Sequence, residues 1–83
     1  MPEMTTGLLW FDNDPGRDLA QKVAQAAYRY YQKFGVVPDT CYVHQDTLLK
    51  NEEEWVGSVR VMTLSNVLRH HYWIGQRQER KSK

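Results

Sequence analysis

The sequence predicts an α+β fold in which one long helix packs on a small mixed sheet of four strands. Three observations support this prediction. A continuous apolar run stands at residues 7–11, apolar residues then recur every three or four positions as far as Phe34, and alternating patterns follow at 40–44 and 58–74. Steps of three and four are typical of an amphipathic helix, whereas alternation is typical of a strand. The order of these patterns predicts a β-α-β unit followed by a β-hairpin.

The first strand and the helix are separated by the segment DNDPG at residues 12–16. The preceding run, GLLWF, has no polar side chain, so we expect a strand with both faces covered. Asp14 is placed to cap the N-terminus of the helix, and Pro15 suits the first helical position. Gly35 is a residue type typical of helix C-termini. The helical stripe consists of Leu19, Val23, Ala26, Ala27, Tyr30 and Phe34.

The remaining strands are predicted from shorter patterns. Residues 40–44 form the second strand, and the helix before it implies a crossover between two parallel strands. Residues 58–64 and 67–74 alternate in polarity around a Ser-Asn turn, so we expect a hairpin there. The acidic residues 52–54 are expected in a solvated loop. Because one helix shields one face of a sheet, we expect a second copy or another partner to cover the other face.

The 83 residues are enough for one domain, which we place at residues 1–75. Those residues carry seven Lys or Arg and nine Asp or Glu, whereas residues 76–83 carry four basic residues and one acidic residue. We therefore expect a basic, disordered C-terminal tail. The single cysteine, Cys41, excludes an intramolecular disulfide. Without an apolar run long enough to cross a membrane or a leader-like start, the chain is expected to be a cytoplasmic protein.

The function that we expect first is a non-catalytic interaction module that self-associates as a homodimer. Aromatic residues make up 12% of the chain, which is more ring area than one small core needs. The expected contact surface is the uncovered sheet face, where we place Tyr42, Arg69, His71 and Trp73. Another protein is the alternative partner, and neither a cofactor nor a membrane is expected.

The C-terminal charge supports an alternative function, that of a nucleic-acid-binding accessory protein. Flexible basic ends add sequence-independent affinity for phosphates, and exposed aromatic rings stack on bases. The simpler interpretation is a solvated terminus without a ligand. The residues that would carry this function are Arg77, Arg80, Lys81 and Lys83.

A second alternative function is that of a metal-dependent hydrolase with Asp12, Asp14 and His44 at its site. If the strands that precede these residues are parallel neighbours, their side chains meet at the carboxyl edge of the sheet, where open α/β sheets bind ligands. Carboxylates and imidazole suit metal binding or acid–base catalysis. The simpler interpretation is a strand-to-helix turn that contains Asp and Asn. His70 and His71 point to opposite sides of a strand, so they cannot bind one metal together.

Three motifs, LLWFDND, CYVH and HHYWIG, are similar to those of small uncharacterised bacterial proteins, and this resemblance implies no activity. The order strand–Asp–helix–strand also resembles the opening of the small ferredoxin-like CRISPR adaptation subunit. The present sequence departs from that pattern because no second long helix is evident between the third and fourth predicted strands. No site residue is carried over from that family.

Overall fold

The computed structural model describes residues 7–48 and 53–77 of the chain. These residues form an α+β fold in which one helix packs on a mixed sheet of five strands, so the predicted class and the single helix are confirmed. The elements in chain order are β1 Gly7–Phe11, α1 Leu19–Phe34, β2 Thr40–Val43, β3 Glu53–Val56, β4 Val59–Thr63 and β5 His71–Gly75.

The strands lie in the order β1-β5-β2-β4-β3 across the sheet. Strand β5 is antiparallel to both of its neighbours, β1 and β2. Strand β2 pairs in parallel with β4, and β3 closes the far edge antiparallel to β4. As predicted, β1 and β2 run in the same direction on either side of α1 in the chain. They are not neighbours, however, because β5 lies between them.

The predicted hairpin of residues 58–64 and 67–74 is wrong, since β2 separates β4 from β5. The hairpin of this fold joins β3 to β4 through Gly57 and Ser58. Gly57 has a φ of 60°, and two-residue hairpin turns favour such left-handed conformations because they match the twist of the strands. The prediction of a loop at residues 52–54 is also corrected, because Glu53 and Glu54 belong to β3. The sheet therefore has five strands instead of four.

A capping box at Asp18 fixes where α1 begins. The Asp18 carboxylate accepts a hydrogen bond from the backbone N–H of Gln21 at 2.9 Å, and the Gln21 side chain accepts one from the Asp18 N–H at 3.0 Å. This reciprocal pair satisfies two backbone donors that a helix start leaves without partners. Asp14 is not the N-cap that the sequence predicts. Its carboxylate accepts from the Gly16 N–H at 2.8 Å, in the turn before the helix.

The C-terminus of α1 agrees with the prediction. Gly35 has a φ of 76°, and its N–H donates to the Tyr31 carbonyl at 2.8 Å. In the described ranges, no helix is long and apolar enough to cross a membrane. The helix packs Val23, Ala26 and Tyr30 onto one face of the sheet, where they meet Cys41, Val43, Val59, Val61, Tyr72 and Ile74.

Candidate functional site

The sheet face that points away from α1 is the first candidate surface, and we call it the open face. Successive side chains of a strand point to opposite sides, so the neighbours of core residues lie here. Trp73 of β5 is paired with Leu9 of β1 on one side and with Tyr42 of β2 on the other. His71 occupies the same face two residues before Trp73. Three of the expected contact residues therefore share the open face.

The chain itself covers part of the open face. Tyr42 is only 6% exposed because it packs against Val67, in a cluster that also contains Leu64, Met62 and Trp73. Tyr42 is buried within this cluster, so it has little exposed surface for contact with a partner. Arg69, the fourth expected contact residue, lies in the turn before β5 instead of in a strand, and its guanidinium pairs with the Asp46 carboxylate.

The open face is exposed at both edges of the sheet: Trp55 of β3, which is paired with Arg60 of β4, is 58% exposed, and the β1 side is exposed as well. Leu9 is 58% exposed and Phe11 is 53% exposed, so the expectation that both faces of this strand are covered is wrong. Both side chains point to the open face, and because β1 is an edge strand, β5 flanks them on one side only. The Phe11 ring lies 5.0 Å from the His71 ring between centroids. We call the residues Leu9, Phe11, His71 and Trp73 the β1 surface.

A second apolar surface is a groove of about 660 Å³ between α1 and the β3–β4 hairpin. A helix is about 10 Å wide and strands lie about 4.8 Å apart, so one helix cannot cover five strands. Tyr28 and Tyr31 border the groove and are 58% and 52% exposed. Ala24, Val37 and Val56 also contribute to its lining, which contains no charged residue.

The third candidate is the polar edge, which we define by the turn after β1, the turn after β2 and the turn before β5. Asp12 and His44 both lie here, but they follow strands that β5 separates. Asp12 is 9% exposed, its Oδ2 lies 3.2 Å from Arg17 Nη1, and its Oδ1 accepts from the Asp14 N–H at 3.0 Å. The carboxylates of Asp12 and Asp14 thus accept hydrogen bonds from backbone N–H groups of the turn that joins β1 to α1.

His44 has a different local partner. Its Nδ1 accepts a hydrogen bond from the Asp46 N–H at 3.0 Å. Between residues 7 and 77, leaving aside the undescribed 49–52, no group of three His, Cys, Asp or Glu side chains is placed to hold a metal ion. The structure therefore adds no support to the hypothesis of a metal-dependent hydrolase, which stays untested.

The polar edge encloses a cavity of about 250 Å³, which we call the edge cavity. His70, at its rim, has a φ of 66°, a left-handed conformation that is uncommon for a residue other than glycine. Sequence reasoning did not select Lys22, Thr47 or Tyr72, because only the insertion of β5 beside β2 brings these residues to one place. The lining residues are Leu19, Lys22, His44, Asp46, Thr47, Arg69, His70 and Tyr72.

Two buried groups near these surfaces have altered acidity. Burial raises the pKa of the Cys41 thiol to about 12, so this group stays protonated and is a poor nucleophile at neutral pH. Burial also raises the pKa of the Tyr72 hydroxyl, and the nearby charge of Asp12 adds to this effect. The Tyr72 hydroxyl is consequently a hydrogen-bond donor throughout the physiological range.

The start of the predicted tail is bonded to the loop before β2. The Gln76 side chain donates to the Val37 carbonyl at 3.1 Å, and the Arg77 N–H donates to the Asp39 carboxylate at 2.9 Å. Arg77 itself is exposed. The other residues proposed to contact nucleic acid, Arg80, Lys81 and Lys83, lie outside the described residues, so the nucleic-acid hypothesis stays a prediction.

Comparison with known proteins adds no assignment to these surfaces, because no family model, no curated protein and no solved structure matches the chain.

Proposed function

We propose that this protein is a non-catalytic interaction module that self-associates as a homodimer through β1 and the β1 surface. The observation that carries the proposal is the character of its edge strand. Strand β1 has no charged side chain, yet Leu9 and Phe11 are both more than half exposed. In a monomer, as far as the described residues are concerned, this strand would leave apolar side chains and backbone hydrogen-bonding groups in water together.

Edge strands of this kind pair readily with other chains. Natural monomers protect such edges with lysine, proline, a bulge or a covering segment. The sequence GLLWF contains neither lysine nor proline, and all five residues are in register with β5. The outer side of β1 therefore offers the template on which a strand of another chain can add.

A second copy of β1 fits this edge in both pattern and shape. In an antiparallel pair centred on Leu9, Leu9 faces its own counterpart and Gly7 faces Phe11 of the second copy. Trp10 then faces Leu8 of the second copy on the helix side, so apolar residues meet on both faces. A two-fold axis of this kind closes the assembly at two subunits, which is the commonest symmetry of soluble oligomers.

The packing of Gly7 makes the match more specific. A Cβ atom at Gly7 would lie 2.9 Å from the Trp73 ring, so this ring lies directly over the glycine. In the antiparallel pair, the Phe11 side chain of the second copy meets the Trp73 ring. Aromatic pairs of this kind contribute about 0.5–1.5 kcal/mol beyond the burial of their area.

Replacement of Leu9 by lysine tests this proposal directly. The charge lies at the centre of the paired strands, opposite the same charge on the second copy, and like charges that face each other destabilise a strand pair. We expect the dissociation constant of the dimer to rise at least tenfold, which corresponds to about 1.4 kcal/mol. Sedimentation equilibrium of the wild type and the variant over a concentration series measures this change.

Val37→Lys is the matched control, because Val37 is 57% exposed but lies at the groove beside α1. A dimer that survives Val37→Lys and dissociates with Leu9→Lys supports pairing through β1. A wild-type protein that stays monomeric at NMR concentrations would falsify the proposal. A dimer that is lost with Val37→Lys and kept with Leu9→Lys would assign self-association to the groove and would equally contradict it.

A further inference from the structure

We propose that the edge cavity binds a small dianionic oxyanion, in the form of the terminal phosphate of a ligand. The cavity lies at the polar edge, away from the outer side of β1, so this inference is independent of the proposed homodimer. Its volume of about 250 Å³ is sufficient for a phosphate group and a short part of the molecule that carries it.

The first argument is a tyrosine hydroxyl without a partner. Tyr72 lines the cavity and is only 3% exposed. Among the described residues, its hydroxyl makes no hydrogen bond, and it is not one of the fully enclosed polar atoms, so it keeps access to the cavity. This hydroxyl is therefore a free donor for an acceptor that enters the cavity. The phosphate oxygens of a ligand are such acceptors.

The second argument is the set of positive and donor groups around the same space. Lys22, from the first turns of α1, reaches the cavity and has no carboxylate partner in the part of the chain that the structure describes. The Nδ1 of His44 already accepts a hydrogen bond from the Asp46 N–H. The neutral imidazole therefore carries its proton on Nε2, which is a donor.

Arg69 is the second cation of the cavity, and Asp46 holds it in place. One terminal nitrogen of Arg69 donates to the Asp46 carboxylate. A guanidinium has five N–H donors in a rigid fork, so donors remain available after this pairing. The pair with Asp46 keeps the arginine beside the cavity, although both side chains are more than half exposed.

The balance of charge favours an anion over a cation. The lining contains two cationic residues, Lys22 and Arg69, and one carboxylate, Asp46. Asp12 is a further negative charge near Tyr72, but its carboxylate lies 3.2 Å from the Arg17 guanidinium, which offsets it. Charge-assisted hydrogen bonds from lysine and arginine are the strongest contacts that proteins make with phosphate.

Titration with inorganic phosphate at constant ionic strength, followed by amide NMR, tests the inference. We expect shifts confined to the polar edge, at Lys22, Thr47 and Tyr72. Lys22→Gln removes one charge and is expected to weaken phosphate binding at least tenfold. Tyr72→Phe removes only the unpartnered hydroxyl, so the fold is kept while phosphate binds several-fold more weakly.

Lys33→Gln is the matched control, since it removes the same charge from the same helix at an exposed position beside the Phe34 ring. The inference is supported if Lys22→Gln weakens binding and Lys33→Gln leaves it unchanged. Equal losses in both variants, or the absence of shifts at the polar edge, would overturn it. Glycerol phosphate and a terminally phosphorylated oligonucleotide then show whether the phosphate belongs to a small molecule or to a nucleic acid. The probe that binds with the lower dissociation constant identifies the class of ligand.

Discussion

At the scale of single residues, Gly7 determines how closely Trp73 can approach β1. A Cβ atom at this position would lie 2.9 Å from the Trp73 ring, which is shorter than such contacts allow, so only glycine fits without movement. The sequence alone suggests no such constraint, because Gly7 stands at the beginning of an ordinary apolar run. The constraint on Gly7 comes from the strand that pairs with β1, which is β5 at the other end of the chain.

Gly7→Ala is therefore expected to displace the Trp73 ring. Overpacking of this kind costs about 1–3 kcal/mol, so the free energy of unfolding in urea should fall by that amount. The near-ultraviolet circular dichroism of the indole should weaken, because the ring loses its fixed position.

Gly16→Ala is a suitable control for this substitution. Its new Cβ would lie 3.4 Å from the Asp14 carboxylate in an exposed turn. We expect a change within about 0.5 kcal/mol, as for most surface substitutions. If both variants unfold at the same urea concentration as the wild type, the close approach of Trp73 does not constrain the native state.

At the scale of elements, the start of α1 shows why two nearby acidic residues have different roles. Asp14 and Asp18 both precede the apolar stripe, and each is a reasonable cap on sequence grounds. Only Asp18 has Gln21 three positions later, which completes the reciprocal bonds of the capping box. The motif Asp-x-x-Gln was visible in the sequence, and it was the better signal than Pro15.

Asp18→Ala should destabilise the protein more than Asp14→Ala. Loss of an N-cap costs about 0.5–2 kcal/mol, and each kcal/mol lowers the melting temperature of a domain of this size by about 4–8 °C. Asp14→Ala removes only the bond to the Gly16 N–H in an exposed turn. Thermal unfolding of both variants checks the order, and an equal or reversed order would show that the capping box is not what stabilises this end of α1.

Strand β3 is the element that the sequence analysis missed, and the reason is its composition. Two glutamates begin the strand, and acidic residues are uncommon in strands. A signal was nevertheless present, since Gly57 and Ser58 separate two valine-containing segments by two residues. Such a pair is typical of a hairpin turn. Glu54 is exposed, and an edge strand tolerates such a charge because one side of it faces water.

At the scale of the whole molecule, the buried thiol of Cys41, in the central strand β2, makes the free energy of unfolding depend on pH. Its thiol is completely buried, and its pKa rises from 9.0 to about 12 in the folded protein. Above pH 9 the unfolded chain releases this proton while the folded protein retains it. The stability present below pH 9 is therefore lost as the pH rises toward 12, and Tyr72 acts in the same direction because its pKa is also raised.

The expected size of this effect is about 1.4 kcal/mol per pH unit above the unfolded pKa. Between about pH 8 and pH 10, the free energy of unfolding should fall less in Cys41→Ala than in the wild type. At the lower pH the variant is nevertheless less stable than the wild type, because the substitution leaves a cavity. Urea unfolding at both pH values measures the two slopes. Parallel slopes would show that the buried thiol does not govern the alkaline loss of stability.

Elements whose signals are local could be predicted without any structure. The spacing of apolar residues predicted α1, Gly35 predicted its end, and the short apolar or alternating runs predicted β1, β2, β4 and part of β5. These signals act over a few neighbouring residues, where backbone sterics and side-chain periodicity dominate. The contents of each face of β5 were predictable for the same reason, because side chains alternate along any strand.

The order of the strands, and the surfaces that result from it, could not be read from local patterns. Insertion of β5 between β1 and β2 pairs residues about sixty positions apart in the chain, and no local pattern encodes such a partner. That insertion leaves β1 at the edge with Leu9 and Phe11 exposed, and it gathers Lys22, His44 and Tyr72 around one cavity. Both proposed binding surfaces thus depend on long-range pairing, whose free energy comes from burial shared by the whole sheet.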